Sequence, residues 1–209
     1  MAVLPDEKQL ETLIDSLCQA LTEQGYAILD NVLPQELAAA LRDEALQLKD
    51  ENLLRAGTGR KQDHHLDKTV RADSISWLEP KSIPCRTYLE FMEVLRKGIN
   101  RNLYLGLFEY ECHYARYEPG AFYKTHLDAF GGKRNRILST TYYLNPEWAA
   151  ENKGELVLYT PDAKQIIATV LPTFNRMVIF LSERFPHEVL PTRQVRYSMA
   201  GWFRVSERK

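Results

Sequence analysis

Val195-Arg196-Tyr197-Ser198-Met199-Ala200-Gly201-Trp202-Phe203 is the stretch from which the fold is read. With the two-residue period of a strand, Arg196, Ser198, Ala200 and Trp202 share one face, and Tyr197, Met199 and Phe203 share the other. The second face is that of a core strand. The first sets a guanidinium beside two small residues, which puts a charge and unfilled volume on the side that Trp202 marks as interior. Burying that charge is unfavourable unless an anionic guest supplies its partner. A surface strand with Arg196 solvated is the alternative, and Trp202 on the same face counts against it. The strand is therefore expected to line a barrel that holds an anion.

Upstream, from about Leu107, short segments rich in Tyr, Val, Ile, Leu and Phe are separated by Pro119-Gly120, Gly131-Gly132, Asn145-Pro146, Pro161-Asp162 and Pro172. The spacing predicts strands over 107–117, 122–128, 137–144, 155–160, 165–170, 177–181 and 194–204, an antiparallel sandwich or barrel. Further upstream the period changes. Leu10, Leu13, Ile14, Leu17 and Leu21 recur at helical spacing, Gly25 interrupts, and Tyr26-Ala27-Ile28-Leu29 reads as a strand. Pro34 suits a first helical turn ahead of the stripe Leu37, Leu41, Ala45 and Leu48, and Pro84 does the same ahead of Tyr88, Met92, Leu95 and Ile99. The fold class is α+β. Residues 1–209 read as one domain, with helical support over about 1–103 and a β core over about 104–205.

Between the halves, about 55–71 is poor in apolar residues and holds Gly57, Gly59, Arg60, Lys61, His64, His65 and Lys68. It reads as a mobile loop, either a lid over a site or a solvated connection. His64-His65 lacks a carboxylate at metal-ligand spacing.

Composition narrows the function. With 44% hydrophobic and 26% charged residues the chain is an ordinary globular one, and a net charge of −1 offers no drive toward nucleic acid or an anionic membrane. The opening Met-Ala-Val-Leu-Pro-Asp-Glu-Lys lacks a basic segment followed by an apolar one, and no run approaches the ~18 apolar residues of a span, so a cytoplasmic location is expected. Cys18, Cys85 and Cys112 are odd in number, widely spaced and best read as buried fillers, so a metal would need nitrogen and oxygen ligands.

Such ligands are present. On a strand, His126 and Asp128 point to one side while Leu127 points to the other, and His187, sixty-one positions after His126, follows the apolar run Met177 to Leu181. An H-x-D alone is weak, and His187 alone reads as a satisfied histidine at a strand end. Joined to Arg196, they make a two-histidine, one-carboxylate face that leaves positions open on Fe(II), with a guanidinium to fork onto a distal carboxylate. A dicarboxylate keto acid satisfies both, so Fe(II), 2-oxoglutarate and O2 are the expected cofactor and cosubstrates. Tyr143 is a second donor to the distal carboxylate, sharing a face with Thr141, while Ala200 and Trp202 continue the Arg196 face. Tyr117 and Tyr123 either line the entrance or pack the barrel.

At these residues the chain resembles the prolyl hydroxylases of oxygen sensing and their bacterial relatives. The resemblance runs from about Leu10 to Phe203 and is strongest in Tyr142-Tyr143-Leu144-Asn145-Pro146-Glu147-Trp148, Gly154-Glu155-Leu156, Pro186-His187-Glu188-Val189 with Pro191, and Arg196-Tyr197 followed by Trp202. Weaker support comes from Gly25 to Asp30 and Arg71 to Glu79. It implies a double-stranded β-helix, a jelly-roll or cupin-like barrel braced by N-terminal helices, with iron on His126, Asp128 and His187 and 2-oxoglutarate on Arg196 and Tyr143. Arginine rather than lysine at position 196 points away from the collagen-type enzymes. The resemblance further implies a prolyl protein substrate, a translation elongation factor being the bacterial candidate; a monomer that uses ascorbate as reductant is expected beside it. Hydroxylation of free proline or another small metabolite is the enzymatic alternative, and a non-catalytic barrel binding protein the alternative outside enzymes. A nucleic-acid demethylase lacks a basic stripe, and a zinc hydrolase lacks a carboxylate base at motif spacing.

Overall fold

In the computed structural model, residues 4–48, 53–55, 70–129 and 135–206 are described, without the side chain of Arg55. The interior of the 55–71 segment, His64-His65 and the Gly131-Gly132 turn lie outside the described residues.

Helix α1 spans Glu7–Glu23 and starts with a capping box: Asp6 accepts from the Gln9 amide, and the Gln9 side chain accepts from the Asp6 amide. Its stripe buries Ile14, Leu17, Cys18 and Leu21. After Gly25, at φ +86°, strand β1 runs Tyr26–Asp30. Helix α2, Gln35–Leu46, has Pro34 as N-cap rather than inside its first turn, and it ends before Leu48, which still packs on the helical core. Helix α3, Ile83–Leu103, has Pro84 in its first turn and Ser82 accepting from the Cys85 amide. Tyr88, Met92, Leu95 and Ile99 are buried on one side, and Tyr104 at φ 53° ends the helix. The three cysteines are free and buried.

The remaining strands are β2 Leu54–Arg55, β3 Ser74–Trp77, β4 Glu109–Tyr117, β5 Tyr123–His126, β6 Arg136–Tyr143, β7 Leu156–Tyr159, β8 Ile166–Val170, β9 Arg176–Leu181, β10 His187–Val189 and β11 Arg196–Arg204. They form a seven-stranded sheet in the order β1-β9-β6-β11-β4-β3-β2 and a four-stranded sheet in the order β5-β10-β7-β8. Every ladder between these strands is antiparallel. The period-two reading of β11 holds. Tyr142, Met199 and Phe203 join the helices in one core, while Tyr117, Tyr143, Val178 and Phe180 meet Leu156, Leu158 and Val189 of the smaller sheet in the other. The large sheet thus has helices on one face and the barrel interior on the other. Fully burying each such side chain is worth roughly 1.5–3 kcal/mol.

Two expectations need correction. The strand expected over 122–128 ends at His126, so Asp128 sits in the bend beyond it rather than on the strand. No strand is expected around His187 from the sequence, yet it opens the three-residue β10, too short for an alternating pattern and flanked by Pro186 and Pro191.

One glycine on β11 is fixed by a close approach. Tyr110 crosses over Gly201 so that its hydroxyl reaches Thr140 Oγ1 at 2.8 Å on the next strand. A Cβ on Gly201 would overlap the Tyr110 ring and come within 2.6 Å of Cys112 Cβ. Gly201→Ala is expected to destabilise the fold by about 1–3 kcal/mol, the scale of an overpacked core. Urea unfolding would show this as a lower midpoint at unchanged slope.

Candidate metal centre and anion pocket

Strands β5 and β10 are neighbours in the small sheet, and their register sets His187 directly opposite His126. Each imidazole is turned by a backbone carbonyl: His126 Nδ1 lies 2.8 Å from the Lys124 carbonyl and His187 Nδ1 lies 3.0 Å from that of Phe185. A carbonyl can only accept, so both Nδ1 atoms carry a proton and both Nε2 atoms face inward. Asp128 meets them there, with Oδ1 3.6 Å from His126 Nε2 and Oδ2 3.5 Å from His187 Nε2. The three ligand atoms lie within 4.8 Å of one another, and among the described residues no other histidine, cysteine and carboxylate group does this.

The electrostatics favour a cation. Burial brings His187 down to about 4, so it is a neutral ligand at pH 7. Burial pushes the Asp128 carboxyl up, but the imidazoles and a hydrogen bond from Ser139 outweigh it and hold the group well below the usual carboxylate range. Ser139 Oγ donates to Asp128 Oδ2 at 2.6 Å and lies 2.9 Å from Ser182 Oγ. Behind the histidines, on the outer face, Glu188 accepts from Thr125 at 3.2 Å and from the Tyr159 hydroxyl, tying β5, β10 and β7 together.

The other half of the site is on β11. Arg196 is 1% exposed, Nε donating to the Gly154 carbonyl at 2.9 Å and Nη1 to Ser198 Oγ at 3.2 Å. Gly154 leaves the room this needs: a Cβ there would come within 3.2 Å of Arg196 Cδ. Tyr117 and Tyr143 flank the guanidinium, their ring centroids 4.9 and 5.1 Å from its carbon. Arg196 Nη2 and Tyr143 Oη are both buried without a hydrogen-bond partner. Burial pushes Tyr143 up to about 12, partly offset by Arg196, so its hydroxyl is a donor at neutral pH. Two orphaned donors side by side call for an acceptor with two oxygens, as a carboxylate has.

An open floor lies between the two halves. Thr141 and Ala200 are cross-strand partners in the middle of the large sheet, on the same face as Tyr143 and Arg196, yet both are only half-buried. Space therefore stands over them inside the barrel. Trp202 lies at the far end, paired with Ser139 and with the Arg136 guanidinium 3.5 Å over its ring, so it belongs to the metal end rather than to the Arg196 pocket. Tyr123 is also at the metal end, stacked on His126.

Sequence reasoning missed Ser139, Ser182, Gly154 and His113. His113 is buried beside Trp77 and Trp202, and burial brings it down to about 4. Carrying the Thr141, Tyr143 period two residues back finds Ser139; no sequence signal marks the Gly154 carbonyl.

Comparison with known proteins gives a consistent result. The model of the 2OG-Fe(II) oxygenase superfamily matches residues 112–204. The crystal structure of a Pseudomonas putida prolyl-4-hydroxylase is 36% identical at a TM-score of 0.82, covering 92% of this chain and 99% of that one. A Trichoplax adhaerens prolyl hydroxylase, solved with a hypoxia inducible factor oxygen degradation domain peptide fragment, is 26% identical at a TM-score of 0.83, covering 94% and 91%. Human Egl nine homolog 1 is 28% identical over 201 residues, 93% of this chain but 47% of its own length. The chain thus spans about half of that relative.

Proposed function

The chain belongs to the 2OG-Fe(II) oxygenase superfamily, and from that premise we propose that it is a prolyl 4-hydroxylase acting on a proline within a protein. The observation that carries this reading is the pair of orphaned donors on Arg196 and Tyr143, separated from the His126, Asp128 and His187 triad by the open floor of Thr141 and Ala200. The donor set fits the cofactors. Two imidazoles and a carboxylate suit Fe(II), and the orphaned donors suit the distal carboxylate of 2-oxoglutarate. When bound, iron, 2-oxoglutarate and O2 supply the oxidation that puts hydroxyl in place of a C–H hydrogen, leaving succinate and CO2.

The chain's residues position and shield. Gly154 and Ser198 hold the Arg196 guanidinium, so the fork is set before the anion arrives. Tyr117 walls one side of that pocket. Ser139 fixes one oxygen of Asp128, and the Lys124 and Phe185 carbonyls fix the histidine tautomers.

The substrate reading is supported by the rim. Trp77 is 47% exposed and packs edge-on against His113, which touches Trp202, so an apolar surface is offered beside the metal end. A proline ring carried on a polypeptide suits such a surface. A translation elongation factor, from the bacterial side of the resemblance, is the first protein to try. We further place the protein in the cytoplasm as a monomer; among the described residues no helix is long and apolar enough to cross a membrane.

The test is incubation with Fe(II), 2-oxoglutarate and ascorbate in the presence of proline-containing peptides, a purified elongation factor, or free proline, followed by mass spectrometry. One added oxygen on a prolyl residue, matched by one succinate, is expected. Modification of free proline alone would replace the protein-substrate reading with a metabolite one.

A further inference from the structure

We infer that Arg71 and Tyr123 are positioning residues for the metal ligand His126, joined to it as a column of stacked groups. The inference rests on the iron-site reading above.

The two histidines are held differently. His187 sits on β10, between β5 and β7, with Phe180 edge-on at 4.7 Å, so the core holds its ring. His126 sits on β5, a four-residue strand that among the described residues pairs within the small sheet with β10 alone, and their register shifts between His187 and Val189. The other edge of β5 is met by the chain entering β3. Lys124 donates its amide to the Val70 carbonyl at 2.9 Å, and Ala72 donates to that of Phe122 at 3.0 Å. A bridge between Arg71 and Tyr123 links the same two stretches.

The side chains complete the column. Asp73, its side chain fully buried, takes Arg71 in a fork, Nε to Oδ1 at 2.5 Å and Nη2 to Oδ2 at 2.8 Å. The Arg71 guanidinium lies 4.6 Å over the Tyr123 ring. Tyr123 in turn stacks on His126 with centroids 3.6 Å apart and planes 15° from parallel. The hydrogen bond from His126 Nδ1 to the Lys124 carbonyl fixes the ring's direction. It leaves free the tilt about that bond. Tyr123 restrains that tilt on one face, opposed by His187 at 4.2 Å. Arg71 presses Tyr123 from behind through a cation–π contact, and the Asp73 fork keeps the guanidinium plane from swinging away.

Groups that orient a metal ligand without touching the ion typically change affinity by roughly 10–100-fold when lost. The test is anaerobic titration of the purified protein with Co(II), reading both affinity and the visible d–d spectrum, with near-UV circular dichroism as the check on folding. Arg71→Gln and Tyr123→Leu are each expected to weaken Co(II) binding about tenfold and to alter the d–d bands, while Tyr123→Phe, which keeps the ring, stays near wild type. Tyr123→Leu against Tyr123→Phe reads the column without disturbing the Arg71–Asp73 fork, so the decision does not hang on one variant folding. Wild-type affinity and spectrum in both Arg71→Gln and Tyr123→Leu would overturn the inference. So would lower stability with an unchanged spectrum, because the two residues would then only close the barrel. Failure of the wild-type protein to take up Co(II) would be a different result and would remove the metal site itself.

Discussion

Asp128→Ala is expected to abolish Fe(II) binding and with it all turnover of 2-oxoglutarate. The side chain is the sole anionic ligand of the triad, and its two oxygens each face one imidazole Nε2 at 3.5–3.6 Å. Without it the two imidazoles must hold a doubly charged ion with no negative charge to offset it. Loss of a supporting partner costs roughly 10–100-fold in affinity, and loss of the carboxylate itself should exceed that. The fold should survive, because no described ion pair other than those with the two histidines involves Asp128. Ser139 loses an acceptor but keeps Ser182 at 2.9 Å. Anaerobic addition of Fe(II) and then 2-oxoglutarate, followed by visible spectroscopy, separates the outcomes. The charge-transfer absorption of the chelate should appear in wild type and be missing in the variant. Its persistence in Asp128→Ala would mean that the ion sits elsewhere.

The parts of this site that were legible in the sequence are those whose signal is local. The alternation of β11 told which of its residues face the barrel, and Arg196 lies there with the Tyr143 hydroxyl beside it. The helical stripes of α1 and α3 were readable because each runs four turns or more and buries one side. Strand β10 was not readable, since three residues between prolines carry no period, yet its place opposite β5 is what brings His187 to His126. For the same reason Asp128 was expected on a strand when a bend places it. The supporting groups were least legible. Asn145 reads as a turn residue ahead of Pro146, but its side chain bonds the carbonyls of Pro172 and Tyr197 and the amide of Tyr197, pinning the start of β11 next to Arg196. Such a role depends on contacts 27 and 52 residues away, and no window of sequence contains them.

Arg196→Met separates what the guanidinium does for the ligand from what it does for the fold. Toward 2-oxoglutarate the loss should be large. Removing one partner of a buried, hydrogen-bonded charge pair costs about 3–5 kcal/mol, which is a factor of roughly 10² to 10³ or more in apparent affinity. Toward the ligand-free protein the effect should be small. With no anion present Arg196 is a buried charge with Nη2 unpartnered, and replacing a buried charge by an apolar chain of similar volume is often neutral or stabilising. Against that, the Gly154 carbonyl loses its donor, at about 1–3 kcal/mol. The two oppose each other, so the urea midpoint without ligand should move little, while the stabilisation that 2-oxoglutarate and metal give the wild type should vanish. Arg196→Lys is expected to fall between, since an ammonium keeps the charge but cannot fork onto the carboxylate while also holding Gly154 and Ser198. A large loss of stability without ligand, together with unimpaired 2-oxoglutarate binding, would make Arg196 a structural residue and leave the orphaned Tyr143 hydroxyl without an explanation.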